Sequence, residues 1–257
     1  MSLKILRGWY VILLRPALTR GALVRAVTSQ GGHPVCIPGL RLQAAADPQV
    51  ADQALACALR APLVLVTSPA AVHFARRLPS WRRAADTRFA AVGGGSAQAL
   101  RRAGARDVIQ PISRQDSDGL LQHPVLQDDM LASVGLLTAP GGRGRLIDVL
   151  GQRGVSVCRA DVYRRLPPRL DRRHLHALDA IDGPSALLHS SAEALVNLQV
   201  ALPSACWHRL IGALLIPSSA RLAAQARELG FQLGPTAESA TAIDMVDALI
   251  KARTGVD

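Results

Sequence analysis

The most constraining feature of the chain is an internal repeat whose period is close to half the chain length. Residues Val11–Pro16 read Val-Ile-Leu-Leu-Arg-Pro, and Gly135–Pro140 read Gly-Leu-Leu-Thr-Ala-Pro. Two further pairs of matching stretches are Val66–Ala71 with His189–Ala194, and Phe89–Val92 plus Ser96 with Leu214–Ile216 plus Ser219. Solenoid repeats are far shorter, so this period indicates two similar α/β units. Because ligands often bind between domains, we expect a ligand cleft between the two units.

Length and composition fit two globular domains of ordinary size. A chain of 257 residues, 49% of them apolar, can bury a core in each half. No stretch approaches the roughly 20 uncharged apolar residues that span a bilayer, and the start lacks the sustained apolar segment of a leader. We therefore expect a cytoplasmic protein that does not associate with membranes.

The positive charge of the chain comes almost wholly from arginine. The net charge is +11, and of 30 Lys and Arg residues only Lys4 and Lys251 are lysines, which leaves 28 arginines. No run of five basic residues occurs, and aromatic residues at 3% are too few for base-stacking surfaces, so nucleic acid is not predicted as a partner. Arginine binds carboxylates with two parallel hydrogen bonds, which favours a polyanionic small molecule as the ligand.

The chain contains no motif for a metal, a disulfide framework or a dinucleotide. The cysteines are Cys36, Cys57, Cys158 and Cys206. They stand singly without a CxxC pair, so we predict neither a disulfide framework nor a zinc site. Cys36 and Cys158 occupy matching places in the two repeats, and we interpret these two as small apolar residues in strands. Gly93–Gly95 follows a predicted strand, but the third glycine of a GxGxxG pattern falls on Gln98, which argues against NAD.

Apolar runs followed by helical segments predict doubly wound parallel sheets. Trp9–Leu14 and Leu63–Val66 are typical of strands buried on both faces. Loops that join such strands to helices lie at the carboxyl end of the sheet, where free N–H groups and helix dipoles favour anions. Here these loops are short, rich in Ser, Thr and Gly, and cover residues 67–71, 93–97, 190–194 and 218–221.

Two helix boundaries are predicted from capping residues. Thr19 is a candidate N-cap for a helix that extends to about Gln30 and ends at Gly31-Gly32. A second helix is expected from Asp116 to Leu126, with Ser117 or Asp118 near its cap.

Tyr163 is the one side chain for which sequence reasoning leaves two roles open. It is one of only two tyrosines and lies at the junction between the two copies, followed by Arg164-Arg165. A tyrosine at such a place commonly packs with its ring and leaves its hydroxyl in water. Alternatively, its hydroxyl donates a proton to a leaving group. No serine lies in a G-x-S-x-G elbow, so nucleophilic catalysis is not predicted.

Taken together, these segments resemble the uroporphyrinogen-III synthase family. The matching residues are Leu14-Arg15-Pro16, Val66–Val72, Ala91–Gly93, Ser96-Ala97, Leu100–Gly104, Ser117–Leu121, Gly142-Arg143, Leu146, Leu150, Gly154, Val162–Arg165, Ser190-Ser191, Asn197-Leu198, Ser219–Ala223 and Leu229–Phe231. No single motif is decisive, and the order and spacing of the matches over most of the chain carry the resemblance.

The resemblance implies an α/β fold of two similar doubly wound parallel-sheet domains, joined by a two-stranded connector, with a cleft between them. One domain would be discontinuous, formed by residues 1–38 and 168–257, and the other would be formed by residues 39–167. The chain would cross between them near 36–42 and 160–168.

The resemblance also implies an activity, a substrate and a set of site residues. The family is a cofactor-free class of lyases in porphyrin and heme biosynthesis that closes the linear tetrapyrrole hydroxymethylbilane, a polycarboxylate, with loss of water and inversion of the last ring. We expect a monomer that receives its substrate by transient hand-over from hydroxymethylbilane synthase. Tyr163 is the expected catalytic residue. The expected substrate-binding residues are Arg15, Thr67, Ser68, Pro69, Ala70, Ala71, Ser96, Arg143, Ser190, Ser191, Ala192 and Ser219.

A second hypothesis from another functional class shares the same fold and the same loops. It is a two-domain binding protein without catalytic activity, which would hold an anionic metabolite.

Overall fold

The computed structural model describes residues 4–112, 116–141 and 144–255. The chain divides into two compact units. The terminal unit contains the residues up to Arg41 and those from Leu166 onward, and the central unit contains Leu42 to Arg165. Arg143, one of the expected substrate-binding residues, lies outside the described residues.

Strands and helices alternate along most of the described chain. The strands are β1 Tyr10–Leu13, β2 His33–Cys36, β3 Arg41–Ala44, β4 Val64–Val66, β5 Phe89–Ala91, β6 Val108–Ile109, β7 Ser133–Thr138, β8 Ser156–Asp161, β9 Tyr163–Leu166, β10 Ser185–His189 and β11 Leu214–Pro217. The helices are α1 Gly21–Ser29, α2 Pro48–Ala58, α3 Pro69–Ala75, α4 Gly94–Arg102, α5 Ser117–Leu121, α6 Arg145–Gln152, α7 Arg172–Asp179, α8 Ala192–Ala201, α9 Ser204–Ile211, α10 Ala220–Glu228 and α11 Ala242–Thr254. Two short 3-10 helices cover Pro79–Asp86 and Pro124–Leu126.

Each unit is built on its own parallel sheet. The central unit has five strands in the order β6-β5-β4-β7-β8, and the terminal unit has four in the order β11-β10-β1-β2. The strands β3 and β9, at which the chain passes between the two units, pair as a separate two-stranded sheet. The predicted α/β class, with two similar parallel-sheet units and a two-stranded connector, is confirmed.

The two sheets repeat the same topology. β4 and β7, the middle pair of the central unit's sheet, correspond to β10 and β1 in the terminal unit's sheet. In each sheet, the strands that follow the two middle strands along the chain lie on opposite sides of that pair. Even the edge strand β6 has a counterpart, since Leu215 of β11 forms a parallel bridge with Leu233. Each sheet therefore has a switch point, where the chain order reverses between its two central strands. Ligands of doubly wound folds bind at the carboxyl ends of such strands.

Alternating burial explains why the central strands are apolar throughout. Val64 and Val66 of β4 pack in one core cluster, whereas Leu63 and Leu65 pack in another. Successive side chains of a strand point to opposite faces, so the sheet carries helices on both faces. All three residues of β4 are fully buried, and roughly 25 cal/mol per Å² of buried apolar surface stabilises this core.

Both helix boundaries predicted from capping residues differ from the structure. Helix α1 begins at Gly21 after Arg20, and the Thr19 hydroxyl instead donates to the Pro16 carbonyl oxygen at 3.4 Å. The segment expected as one helix from Asp116 is α5 followed by a 3-10 turn. The reason is Pro124, because proline disfavours the helical conformation of the residue before it.

The interpretation of all four cysteines as unpaired is wrong for two of them. Cys57 of α2 and Cys158 of β8 form a disulfide, with their Cα atoms 6.3 Å apart. They are separated by 101 residues in sequence, so their spacing gives no signal of a pair. The bridge joins α2 to the sheet of the central unit. Cys36 and Cys206 are free.

Gly135 of β7 permits the close packing of α2 on this sheet. A Cβ atom at Gly135 would lie 2.3 Å from the Ala58 carbonyl oxygen. We expect Gly135→Ala to lower the free energy of unfolding by about 2 kcal/mol or more, because α2 must move away from the sheet. Urea unfolding followed by circular dichroism measures this change.

Gly151→Ala is the matched control in the same unit. Nothing lies within 4 Å of a Cβ at this helical position. The substitution should raise the free energy of unfolding by about 0.5–1 kcal/mol, since it reduces the entropy of the unfolded chain. If the two variants have equal stability, the packing explanation for Gly135 is wrong.

Candidate active site

Two threonine hydroxyls meet at the switch point of the central unit. Thr67 follows β4, and Thr138 is the last residue of β7. The Thr67 hydroxyl lies 3.1 Å from the Thr138 hydroxyl and 3.2 Å from the Leu137 carbonyl oxygen. Thr67, expected as a substrate-binding residue, therefore lies at the carboxyl ends of the two central strands.

Ser68 links the start of α3 to Tyr163. Its hydroxyl oxygen accepts the Ala71 N–H at 3.1 Å as the N-cap of the helix, and the same oxygen lies 3.1 Å from the Tyr163 hydroxyl. Pro69, at the first position of the helix, has no N–H to donate and instead fixes the helical φ. Ala70 and Ala71 are buried beneath this turn.

The ring of Tyr163 is fixed by packing. Only 6% of the residue is exposed, and its ring stacks on that of Phe74 with centroids 5.6 Å apart and planes at 10°. The structure thus agrees with the packing role for the ring. The hydroxyl, however, has a protein partner in Ser68, so it has a defined direction.

These groups border a cavity of about 300 Å³. It lies at the carboxyl end of the central unit's sheet, and the starts of α5 and α6 complete its wall. The hydroxyl-bearing lining residues are Thr67, Ser68, Ser117, Thr138 and Tyr163. The charged lining residues are Asp116, Asp118, Arg145, Arg159 and Arg165.

Most of these charges have partners around the cavity. Arg145 forms an ion pair with Asp118, and Asp116 accepts the Gly119 N–H at 2.9 Å as the N-cap of α5. Arg165 donates to the Pro140 carbonyl oxygen at 3.1 Å, in the turn that follows β7. The cavity therefore combines hydroxyl donors with ordered guanidinium groups, a donor set suited to carboxylates.

The switch point of the terminal unit has a different pair of side chains. Arg15, just after β1, donates from Nε to the Ser190 hydroxyl oxygen at 3.4 Å and from Nη2 to the Ala240 carbonyl oxygen. Burial lowers the pKa of the Arg15 guanidinium, which still remains protonated because arginine is so basic. Two of the expected substrate-binding residues are thus in contact.

The other expected residues of the terminal unit lie at helix starts. Ser191 caps α8 by accepting the Ala194 N–H, and Ser219 caps α10 by accepting the Leu222 N–H, both at 3.4 Å. Ala192 is the first residue of α8. A capping hydroxyl still has its own hydrogen, so each serine can donate to a carboxylate while it caps the helix.

Ser96 does not occupy the position that the repeat predicted. Ser219 is two residues past the end of β11, and the residue two past the end of β5 is Gly93, the N-cap of α4. Ser96 is the third residue of that helix and is only 4% exposed. Three consecutive glycines conceal where the helix begins, so the sequence match placed the hydroxyl three residues too late.

His189 is a buried polar residue that sequence reasoning missed. It ends β10, directly before Ser190, and is 0% exposed. Neither of its ring nitrogens has a hydrogen-bond partner among the described residues. Desolvation by burial lowers the pKa of His189 to about 4. The positive charge of Arg221 also lowers this pKa, whereas the Gln225 side chain raises it and offsets part of the shift. The available signal was a histidine that directly follows the apolar run Ala186–Leu188.

No helix in residues 4–112, 116–141 and 144–255 is long and apolar enough to cross a membrane. In the same part of the chain, no three His, Cys, Asp or Glu side chains are grouped so that they could hold a metal ion.

Comparison with known proteins decides the family. The family model described as uroporphyrinogen-III synthase HemD matches residues 21–247. The chain belongs to the uroporphyrinogen-III synthase family. It is 31% identical over 251 residues to the uroporphyrinogen-III synthase of Salmonella typhimurium, with 94% of this chain and 98% of that protein covered. The Escherichia coli protein of that name is 32% identical over 213 residues, with 80% and 83% covered.

Solved structures of this family share the fold. Uroporphyrinogen-III synthetase from Helicobacter pylori superposes with a TM-score of 0.60 at 13% identity, covering 94% of this chain and 98% of that one. A mutant uroporphyrinogen III synthase from the extremely thermophilic bacterium Thermus thermophilus gives a TM-score of 0.58 at 21% identity, covering 96% and 99%.

The burial of His189 predicts a pH-dependent stability. The unfolded chain binds the histidine proton near pH 6.5, whereas the folded chain binds it only near pH 4. Between these values the unfolded state binds more protons, so the free energy of unfolding should fall by about 3 kcal/mol as the pH is lowered. His189→Leu should remove this part of the decline, as measured by urea unfolding across that pH range.

His176→Gln is the control, because His176 is exposed on α7. It should leave the wild-type pH profile unchanged. The explanation fails if His189→Leu retains the full decline.

Proposed function

We propose that this chain is a lyase that makes uroporphyrinogen III from hydroxymethylbilane. The terminal hydroxyl would leave as water, the ring would close, and the last pyrrole would be inverted. The observation that carries the proposal is similarity to the Salmonella typhimurium uroporphyrinogen-III synthase across 94% of this chain. Similarity of that extent does not favour the non-catalytic binding protein.

The chemistry asks mainly for positioning. Hydroxymethylbilane closes by itself in water without inversion, so the protein must favour one of two accessible closures. Holding a reactant in one geometry can supply several kcal/mol of the barrier difference. The substrate carries an acetate and a propionate on each ring, and those carboxylates are its natural handles.

Each unit offers a set of donors for these carboxylates. In the central unit they lie in the turn from Thr67 to Ala71, where Pro69 has no N–H and the Ala71 N–H is bonded to Ser68, so the main-chain donor offered to a ligand is the Ala70 N–H. In the terminal unit they are Arg15, Ser190 and Ser191, with Ala192 and Ser219 at the neighbouring helix starts. The buried Ser96 is left out of this proposal, because a side chain that is 4% exposed offers little to a ligand.

Tyr163 is proposed to assist departure of the hydroxyl group. Ser68 accepts the Ala71 N–H, so its own hydrogen can be donated to the Tyr163 oxygen. In that arrangement the phenol hydrogen of Tyr163 is available to the leaving oxygen. General acid catalysis of this kind contributes about 10²–10⁴-fold to a rate.

Three further expectations belong to the same proposal. The chain would act without a cofactor and as a monomer. Its substrate is unstable in water, so transient hand-over from hydroxymethylbilane synthase would limit the spontaneous closure.

An isomer assay tests the proposed function. Hydroxymethylbilane would be generated in place, incubated with the purified protein, oxidised and separated by chromatography. We expect mainly the type III isomer. Only the type I isomer, from a folded protein, would contradict the proposal.

Tyr163→Phe tests the role of the hydroxyl, since the ring can keep its stacking on Phe74. We expect the rate of type III formation to fall about 100-fold, with more type I product from the spontaneous closure. Tyr10→Phe is the control. Tyr10 is the only other tyrosine, and its hydroxyl bonds Asp182 in the terminal unit. Unchanged turnover in Tyr163→Phe would exclude this role.

A further inference from the structure

Arg159 of β8 lines the cavity of the central unit, and two hydrogen bonds fix the orientation of its guanidinium group. Its Nε donates to Asp161 Oδ1 at 3.0 Å, and its Nη2 donates to the Ala139 carbonyl oxygen at 3.2 Å. Asp161 is on the same strand, and Ala139 directly follows β7. The guanidinium is therefore held across the carboxyl ends of two neighbouring strands. Its side chain nevertheless remains 39% exposed.

The remaining donors of Arg159 can serve a ligand. A guanidinium has five N–H groups, and the two contacts use Nε–H and one hydrogen of Nη2. Arginine binds a carboxylate best when both are planar and the guanidinium is already ordered. Its contacts with Asp161 and Ala139 provide that order before a ligand arrives.

The neighbouring charges leave Arg159 well placed to attract an anion. Asp118 is engaged by Arg145, and Asp116 caps α5. Arg165 adds a second positive charge on the same side, where it donates to Pro140. Asp161 offsets part of the charge of Arg159, but it is not among the cavity's lining residues.

The size of the cavity limits what it can receive. At about 300 Å³ it is at the lower end of the volumes that hold whole drug-sized ligands, roughly 300–1,000 Å³. A chain of four pyrrole rings with eight carboxylate arms is larger than such ligands. One ring with its arms is the part of the substrate that fits.

We propose that Arg159 binds a carboxylate arm of the substrate ring that enters this cavity, and so holds that ring beside the Tyr163 hydroxyl. The identity of the ligand rests on the proposed function; the binding role of Arg159 rests on the cavity. The sequence resemblance did not point to Arg159, which lies outside its matching residues.

The direct test is binding of a fluorescent porphyrin that carries eight carboxylate arms. Arg159→Gln should weaken its binding at least about tenfold, the loss expected for a hydrogen bond between charged groups. Arg159→Lys keeps the charge without the planar fork, so it should lie between wild type and Arg159→Gln. Circular dichroism would verify that each variant is folded.

Arg88→Gln is the matched control. Arg88 also pairs with an aspartate of the central unit, Asp107, at 3.2 Å. It precedes β5 and thus lies at the amino end of the sheet, opposite the cavity. The affinity of the Arg88→Gln variant for the porphyrin should stay within about twofold of wild type, since exposed ion pairs contribute little. The proposal is overturned if Arg159→Gln and Arg88→Gln have the same affinity for the porphyrin, whether both bind it tightly or neither binds it.

Turnover separates this inference from the proposed function. With hydroxymethylbilane, Arg159→Gln should raise KM about tenfold and change kcat far less, because the contact is made in ground and transition states alike. A wild-type protein that forms no type III isomer would refute the proposed function. The porphyrin affinities would still decide whether Arg159 binds carboxylates.

Discussion

The pairing of β4 with β7, and of β10 with β1, joins parts of the chain that are far apart in sequence. Val64 pairs with Gly135 in one sheet, and Ile12 pairs with Leu187 in the other. Because the chain order reverses between these central strands, their following loops diverge and leave the strand ends uncovered. The close approach of Ala58 to Gly135 packs α2 directly on β7, one strand of the first pair. The polar groups of each candidate site depend on that arrangement.

The same construction is used twice with different side chains. In the central unit the strand ends meet through Thr67 and Thr138, and in the terminal unit through Arg15 and Ser190. In both, a serine caps the next helix and keeps a hydrogen to donate. A fold that repeats such donors at the ends of its central strands would suit the proposed substrate, which carries many carboxylates and whose closure is directed by position more than by reactive groups.

Local patterns in the sequence were sufficient to predict the repeat, the parallel sheets and the serine-containing loops at 67–71, 190–194 and 218–221. Each of these depends on residues adjacent in the chain. The disulfide of Cys57 and Cys158 and the burial of His189 depend instead on which helices pack over which strands, and no spacing encodes that. Ser96 was misplaced because three glycines before it carry no information about where α4 begins. Tyr163 was predicted as a candidate, but its bond to Ser68 required the fold.

Hydrogen–deuterium exchange with the octacarboxylate porphyrin would test most directly whether carboxylates bind at the carboxyl ends of the switch-point strands. We expect slower exchange in 67–71, 138–141 and 190–194 when the porphyrin is added. Exchange in 105–108, at the amino end of the central sheet, should not change. Protection confined to other segments, with those three unaffected, would contradict this expectation.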